Sequence, residues 1–301
     1  MRILLLGAGG QVGRALQGPL SSLVGRRGHL RACGRDELDL EEPAALTAAL
    51  EAERPRIIIN AAAFTHVDRA EEQPERAQRI NATAVGELGR WASDHEAAVI
   101  HLSTDYVFDG RSDEPYRPDD PTGPLNHYAR TKLAGERALL ASGAPALVFR
   151  VAWVYSLYRA GFLAVMMRLA AERETLKVVA DQTGSPTSAT DLATALSLII
   201  GAVRHDPLGA MTTHRGVYHL GGRGGCTRWE LVKAAVEAHP HRPQLAVKTI
   251  EKVGSDAFPA PAARPAYTVL DNASTEETFD INLPPWREGL ARCLHERFGP
   301  R

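Results

Sequence analysis

The first half of the chain alternates short apolar runs with segments in which apolar residues recur every three or four positions. This alternation is typical of βαβ units and a parallel sheet. The run Ile57-Ile58-Ile59 is apolar at every position, as expected for a strand buried on both faces. The pattern predicts five strands: Arg2–Leu6, Leu30–Ala32, Ile57–Asn60, Val99–Ser103 and Ala146–Val151.

Amphipathic segments between and after these strands predict the helices. The predicted helices are Pro43–Glu53, Pro74–His95, Leu133–Leu140, Gly161–Glu172, Ala189–Val203, Arg228–His239 and Trp286–Phe298. After about residue 155 the rhythm becomes irregular, and the proline-rich region 240–266 breaks it. We therefore predict a Rossmann-type, doubly wound α/β domain over residues 1–155, completed by roughly 187–222. Residues 156–186 and 223–301 should form mainly a smaller C-terminal substrate-binding lobe.

Composition narrows the class of protein. The 301 residues carry a formal net charge of −1, which gives no electrostatic footprint for nucleic acid or an anionic membrane. No apolar run approaches the length of a membrane span. Cys33, Cys226 and Cys293 lie far apart without a CxxC spacing, which argues against a disulfide framework or a zinc site. We expect a cytoplasmic protein with no metal.

A glycine-rich turn follows the first strand and opens a helix. It reads GAGGQVG, and Gly7, Gly10 and Gly13 have a GxxGxxG spacing around Gln11 and Val12. Glycine lets the backbone turn tightly and approach a pyrophosphate, whose charge the amides and the helix N-terminus bind. The alternative is a simple strand-to-helix turn, but the position in the chain favours nucleotide binding.

The residues after the second strand bear on the choice of cofactor. Arg35 is well placed to meet a 2′-phosphate, whereas Asp36 could instead bind ribose hydroxyls. We therefore favour NADPH and keep NADH as a possibility.

A tyrosine and a lysine stand four residues apart after the fourth strand. Thr104 lies in the segment HLSTDY, which ends the fourth strand, and Tyr128 and Lys132 follow Thr104 by 24 and 28 residues. At that spacing the ammonium could lower the pKa of the phenol, which is about 10 in water. Thr104 offers a hydroxyl for the substrate oxygen. These three residues predict proton-transfer catalysis, although YxxxK alone is a frequent accident.

At this point the motifs form a recognisable set. The chain resembles the dTDP-4-dehydrorhamnose reductases, a family of extended short-chain dehydrogenases/reductases. The matching segments span nearly the whole chain in a consistent order: GAGGQVG (7–13), RDELDL (35–40), INAAAFTHVDRAE (59–71), STDYVFDG (103–110), YARTKLAGE (128–136), RVAWVY (150–155), VVADQTGSPT (178–187) and RPAYTVLD (264–271).

The resemblance implies reduction of the C4 ketone of a dTDP-6-deoxy-4-ketohexose by NAD(P)H, in the pathway to dTDP-rhamnose and cell-surface polysaccharide. On that template Tyr128 donates the proton, Lys132 binds the ribose and Thr104 orients the carbonyl. The residues it assigns to the cofactor, besides Tyr128 and Lys132, are Gly7, Gly10, Gln11, Val12, Arg35, Asp39, Leu40, Ala61, Ala62 and Ala63. Those it assigns to the dTDP-sugar are Val67, Thr104, Asp105, Trp153 and Arg264. A homodimer is a further family expectation.

Two alternatives stay open. A nucleotide-sugar epimerase would keep Thr104, Tyr128 and Lys132. A regulatory subunit like that of methionine adenosyltransferase could bind NADP in this fold without turnover. A dehydratase is disfavoured because the residue after Asp105 is Tyr106, where elimination chemistry needs a second carboxylate. Phe64 stands where the family usually has tyrosine, which bears on substrate identity.

Overall fold

The computed structural model describes residues 1–158 and 161–299. Arg159, Ala160, Pro300 and Arg301, which the sequence prediction placed in the C-terminal lobe, lie outside the described residues. The strands are β1 (Arg2–Leu6), β2 (His29–Cys33), β3 (Ile57–Asn60), β4 (Ala98–Thr104), β5 (Ala146–Val151), β6 (Val154–Tyr155), β7 (Thr175–Val179), β8 (Thr183–Gly184), β9 (Thr187–Ser188), β10 (Gly216–His219), β11 (Cys226–Thr227), β12 (Thr249–Val253) and β13 (Tyr267–Thr268).

The α-helices alternate with the strands in the first half and cluster in the second. They are α1 (Gln11–Val24), α2 (Pro43–Glu53), α3 (Val67–Glu72), α4 (Pro74–Gln78), α5 (Ala84–Asp94), α6 (His127–Ala141), α7 (Phe162–Glu172), α8 (Ala189–Val203), α9 (Pro207–Thr213), α10 (Arg228–Glu237), α11 (Ala273–Phe279) and α12 (Trp286–Phe298). Short 3₁₀ turns lie at Asp105–Val107, Arg242–Gln244 and Ser255–Ala257.

Two helices differ from the sequence prediction. The helix predicted as continuous over Pro74–His95 contains a π-helical segment, Arg79–Thr83, between α4 and α5. Helix α6 begins at His127 rather than at Leu133, because the Asn126 side chain accepts a hydrogen bond from the Ala129 amide and caps the helix there. The earlier start places Tyr128 and Lys132 on the same helix.

The main sheet has six strands in the order β10-β5-β4-β3-β1-β2, and every pairing is parallel. This confirms the predicted Rossmann-like α/β class. The chain moves outward in one direction from β1 to β2 and in the other from β3 to β10. That reversal leaves a crevice at the carboxyl ends of β1 and β3, which is where ligands bind in such sheets.

Apolar side chains cover both faces of this sheet, which explains why its strands are continuously apolar. Leu16 of α1 and Leu196 of α8 belong to the core on one face. Leu50 of α2 and Leu88 of α5 belong to the core on the other face. The two cores hold the strand ends rigid, and the strand ends position the cleft.

The second half has a core of its own. Met167 of α7, Val232 of α10 and Leu290 of α12 pack together in it. Strand β12 lies in the region where the sequence predicted no element and pairs with β7 in parallel. Because only Ile250 and Val253 of its five residues are half-buried and the other three are exposed, the hydrophobic pattern alone does not reveal it. The division of the chain into domains stays a prediction.

Candidate active site

The glycine-rich turn lies where β1 meets the loop after β3. Gly7 has φ +79°, and a Cβ there would sit 2.6 Å from the amide nitrogen of Ala62. A Cβ on Gly13 would sit 2.1 Å from the Gly7 oxygen. Any side chain at these two positions would therefore displace backbone. The close approach brings the turn against the loop after β3, and Gly7, Gly9 and Gly10 line the crevice at the N-terminus of α1.

A cleft of about 830 Å³ runs across the carboxyl ends of the strands. Gln11 contributes a buried side-chain oxygen, Oε1, that has no hydrogen-bond partner within the described chain. An unpaired buried acceptor and a turn without side chains fit a dinucleotide. The residues from the sequence prediction that line this cleft are Gly7, Gly10, Gln11, Val12, Arg35, Asp39, Leu40, Ala61, Ala62, Ala63, Thr104, Asp105, Tyr128, Lys132 and Trp153.

One end of the cleft carries an exposed group of charges, here called the arginine cluster, formed by Arg35, Asp39, Glu41 and Arg76. Arg35 lies 2.6 Å from Glu41 and 3.2 Å from Asp39. Arg76 also lies 2.6 Å from Glu41. Arg76 lines the cleft together with Arg69, and the sequence analysis assigned neither of them a role. Arg76 lies 41 positions after Arg35 in the chain, so the sequence does not reveal that both arginines pair with Glu41.

The other end of the cleft holds Thr104 and Tyr128. Thr104 ends β4, and its side-chain oxygen accepts a hydrogen bond from the Tyr106 amide. Its hydroxyl donates to Oδ1 of Asp105 over 3.1 Å. The hydroxyl predicted to face the substrate is therefore engaged with a neighbouring carboxylate. Tyr128 is in hydrogen-bonding contact with Thr104, so the three side chains form one connected group.

The ionisation of Tyr128 differs from the sequence-based expectation. Burial raises the pKa of its phenol above the ordinary value, and the negative charge of Asp105 acts in the same direction. The contact with Thr104 lowers that pKa by a smaller amount. Lys132 does not contribute to this shift in the protein alone, because its Nζ is directed at β4. Its predicted effect on Tyr128, partly by way of the cofactor ribose, stays a prediction.

Lys132 is almost fully enclosed, with an exposed fraction of 1%. Its Nζ donates to the Leu102 carbonyl over 2.6 Å and lies 3.1 Å from Nε2 of His101. Burial lowers the pKa of Lys132 to about 8, and the charge of Glu136 partly opposes that shift. A lysine in this environment can change charge near neutral pH.

Asp105 is a second buried ionisable group in the cleft. Burial raises its pKa to about 6, and hydrogen bonds from Thr268 and Thr104 oppose that shift. Its Oδ1 faces Thr104, and its Oδ2 has no hydrogen-bond partner within the described chain. A buried carboxylate oxygen without a partner is costly unless a ligand satisfies it.

Trp153 and Arg228 form the wall beyond Asp105. Trp153 has φ +44°, and its ring lies so close to Gly184 that a Cβ there would sit 2.5 Å from Cε2. The guanidinium of Arg228 stacks on the same ring, 4.1 Å from its centroid. Its Nε donates to Gln182 over 3.0 Å. The segment 181–187 therefore meets the cleft through Trp153.

Arg228 was read from the sequence only as the start of a helix. Besides Trp153 and Gln182, it approaches the Tyr106 hydroxyl within 3.4 Å. The cation–π geometry and the neutral partners leave its positive charge available. Only the fold shows this role, because Trp153 and Arg228 are 75 positions apart in the chain.

Two predicted substrate residues lie away from the cleft lining. Arg264 is 2.7 Å from Asp68 and donates to the Ala262 carbonyl over 3.0 Å. Val67 precedes Asp68 at the start of α3 and is half-buried. Neither residue is among those that line the cleft. The guanidinium predicted to meet phosphates is thus engaged with a carboxylate in the protein alone.

Within residues 1–158 and 161–299, no group of three or more His, Cys, Asp or Glu side chains could hold a metal ion. No helix in that part of the chain is both long and apolar enough to cross a membrane.

Comparisons with known proteins indicate one family over nearly the whole chain. The model of the RmlD substrate binding domain family matches residues 1–298. A dTDP-4-dehydrorhamnose reductase of Burkholderia thailandensis is 40% identical, over 98% of this chain and 99% of that protein. The chain belongs to the dTDP-4-dehydrorhamnose reductase family.

Solved structures of the same family have the same fold. A dTDP-4-dehydrorhamnose reductase of Clostridium acetobutylicum superimposes with a TM-score of 0.87 at 32% identity, covering 99% of each chain. One from Bacillus anthracis, in complex with NADP, gives 0.86 at 31% identity, covering 98% of this chain and 99% of that one. The family resemblance inferred from the sequence motifs is confirmed.

Proposed function

We propose that this protein reduces the C4 ketone of dTDP-4-dehydro-L-rhamnose to dTDP-L-rhamnose with NADPH. The observation that carries the proposal is that Tyr128, Lys132 and Thr104 line the same cleft as the glycine-rich turn. A proton donor beside a dinucleotide site is what reduction of a carbonyl requires. Its relatives carry this activity in their names.

The cleft fits the cofactor. Gly7, Gly10, Gln11 and Val12 would hold its pyrophosphate at the N-terminus of α1. Ala61, Ala62 and Ala63 would allow its close approach, and Asp39 and Leu40 would flank the adenine end. When bound, the reduced nicotinamide supplies the hydride that the carbonyl carbon receives. NADPH is favoured over NADH because Arg35, Arg69 and Arg76 all line that end of the cleft.

Tyr128 is the group that gives the carbonyl oxygen its proton. A raised pKa keeps the phenol protonated in the resting protein, so a proton is always present for donation. Thr104 holds the Tyr128 hydroxyl and supplies a second polar contact near the substrate oxygen. Lys132, one helical turn further on, would bind the ribose and stabilise the phenolate that is left behind.

The substrate would occupy the side of the cleft formed by Asp105 and Trp153. The unpaired Oδ2 of Asp105 is an acceptor for a sugar hydroxyl. Trp153 and Arg228 offer a flat cationic face for the nucleotide portion. Val67 and Arg264 would join this surface only if the ion pair between Arg264 and Asp68 rearranges around the diphosphate.

The alternatives are weaker. An epimerase would share the three catalytic side chains, but the full-length relatives are named as reductases. A regulatory subunit without turnover would not need the connected group of Thr104, Tyr128 and Asp105.

The three free cysteines are buried, which suits a reducing compartment, so we also propose a cytoplasmic location. A homodimer remains an expectation.

The test follows NADPH absorbance with dTDP-4-dehydro-L-rhamnose in wild type, Tyr128→Phe and a control, Tyr218→Phe. Tyr218 donates its hydroxyl to the His214 carbonyl and does not line the cleft. We expect Tyr128→Phe to lose about 100-fold to 10 000-fold in kcat with NADPH binding retained. Tyr218→Phe should stay within a few-fold of wild type. Equal rates for wild type and Tyr128→Phe would reject the proton donor.

A further inference from the structure

Three buried polar side chains form a row behind the cleft, here called the buried row. Asn60 ends β3, His101 is its register partner in β4, and Lys132 lies on α6. Their exposed fractions are 0%, 0% and 1%. Nδ2 of Asn60 lies 3.1 Å from Nδ1 of His101, and Nε2 of His101 lies 3.1 Å from Nζ of Lys132. The row therefore links the interior of the sheet to the lysine of the cleft.

The hydrogen bonds at Asn60 fix the tautomer of His101. The Ala62 amide donates to Oδ1 of Asn60 over 3.1 Å, so the NH₂ group of Asn60 must face the imidazole. A nitrogen that faces an NH₂ donor has to accept, which places the ring hydrogen of a neutral His101 on Nε2. Burial, with the adjacent Lys132, keeps the pKa of His101 well below its usual range, so the ring is neutral.

That tautomer matters to the lysine. The hydrogen on Nε2 points at Nζ of Lys132, and an ammonium group has three donors and no acceptor. A charged Lys132 would oppose one donor with another at 3.1 Å. A neutral amine has a lone pair that accepts from Nε2 while it still donates to the Leu102 carbonyl.

We propose that Asn60 locks the tautomer of His101 and that His101 thereby favours the uncharged form of Lys132. His101 and Asn60 are positioning residues, since neither lines the cleft. Burial acts in the same direction, because it also lowers the pKa of Lys132. The lysine then changes charge near neutral pH rather than remaining permanently cationic.

Other charges around Lys132 come from three elements. Tyr128 and Glu136 lie on its own helix, and Glu136 raises the pKa of Lys132. Arg150 on β5 pairs with Glu136 at 2.8 Å and neutralises much of that charge. Asp105 follows β4 and acts on Tyr128. Of the side chains named here, only His101 makes a direct polar contact with Nζ, so changes to the row should act on the lysine selectively.

The consequence for turnover rests on the proposed function. Protonated Lys132 stabilises the phenolate that Tyr128 becomes after it gives up its proton. Turnover should therefore fall on the alkaline side as Lys132 loses its own proton. The row sets the pH at which that happens.

The direct test is NMR titration of the protein without cofactor, with ¹³C in the lysine side chains and ¹⁵N in the histidine rings. The chain has only five lysines, so the spectrum is simple, and Lys132→Met assigns the signal. We expect a midpoint near 8 for Lys132, with the hydrogen of His101 on Nε2. A hydrogen on Nδ1 in wild type would overturn the proposal even if no variant folds.

Two substitutions should make the side chain at position 101 a hydrogen-bond acceptor for Lys132. Asn60→Asp replaces the NH₂ donor with a carboxylate that accepts from Nδ1–H, which turns Nε2 into an acceptor for the ammonium. His101→Gln adds no charge and offers its side-chain oxygen to the ammonium. Both should move the Lys132 midpoint upward by about 1 pH unit or more. The signals of the other four lysines serve as internal references for an intact fold.

The kinetic arm is the pH profile of kcat at saturating NADPH. Asn60→Asp should shift the alkaline limb upward by the same amount as the titration midpoint. Unchanged midpoints in both variants would reject the inference, whereas a purely structural role for His101 predicts lower thermal stability and no shift. An inactive wild type with the expected titrations would instead refute the proposed function and leave the tautomer lock standing.

Discussion

Two groups of charges flank the same cleft in opposite surroundings. In the arginine cluster the Arg35 side chain is 59% exposed, so water screens its ion pairs and a phosphate can compete for them. Beneath the other end, Arg150 and Glu136 pair with exposures of only 5% and 2%. Because the pair is buried, water cannot take the place of either side chain if the other is lost. The exposed group can adapt to a ligand, whereas the buried one ties α6, which carries Tyr128 and Lys132, to β5.

Removing one charge from the buried pair of Arg150 and Glu136 should have the largest effect on stability. The carboxylate of Glu136 accepts a hydrogen bond at Oε2 from Nη2 of Arg150 and one at Oε1 from Nε of Arg150. It also accepts one at Oε1 from the Ser103 hydroxyl. Glu136→Gln leaves the guanidinium buried without its counter-charge, and we expect a loss of about 3 to 5 kcal/mol in the free energy of unfolding. Chemical denaturation measures it.

The matched control is Glu174→Gln, which opens the exposed pair with Lys248. Both side chains there are 70% exposed, and we expect a change below about 0.5 kcal/mol. Equal losses in the two variants would show that burial does not decide the strength of these pairs.

Asp105 should give the second largest effect. Its folded pKa of about 6 lies above the ordinary 3.8, so the folded state binds more protons between these values and stability falls as pH rises through that window. Asp105→Asn removes the cost of a buried charge and should stabilise the protein by roughly 2 to 3 kcal/mol at pH 7.5. Activity should fall, since the acceptor for substrate is lost.

The pH dependence is the control for that prediction. The stabilisation should fall below about 1 kcal/mol at pH 4, where the folded carboxyl is protonated and the unfolded one partly so, and should vanish only below both pKa values. Unfolding free energies at pH 4, 6 and 7.5 check this. A stabilisation independent of pH would mean that packing, rather than charge, is responsible.

Arg35 should give the smallest change in stability. Arg35→Gln removes one guanidinium from the end of the cleft that we assign to the 2′-phosphate. We expect KM for NADPH to rise about 10-fold, KM for NADH to change little, and stability to change by less than about 0.5 kcal/mol. Arg54→Gln is the control, because Arg54 is similarly exposed and pairs with Glu51 outside the cleft. A parallel rise for both cofactors would place the phosphate elsewhere.

Much of the fold could be predicted because its signals are local. The run Ile57-Ile58-Ile59 is apolar at every position since both of its faces are buried, and the turn around Gly7 follows a strand and opens a helix. Strand β12 and the π-helical segment at Arg79–Thr83 were missed. Their conformations depend on what they pack against, and their residues carry no distinctive pattern.

The residues of the candidate site also fall into two groups: those that sequence motifs contain, and those that only the fold brings together. The motifs contain Thr104, Tyr128 and Lys132, and all three line the cleft. The stacking of Arg228 on Trp153 and the approach of Arg76 to Glu41 join residues far apart in the chain, so no motif contains them. His101 stood inside a quoted motif, but its contact with Lys132 needed the register of β3 with β4 and the packing of α6.

The order of residues alone predicted the parallel sheet, the glycine-rich turn and Tyr128 as the candidate proton donor, because each prediction depends on spacing within short segments. The tertiary structure alone decided which hydrogens face which lone pairs around Lys132, and which arginines remain available for an anion. Those properties depend on burial and on distances of about 3 Å between separate elements, which only the folded chain brings together.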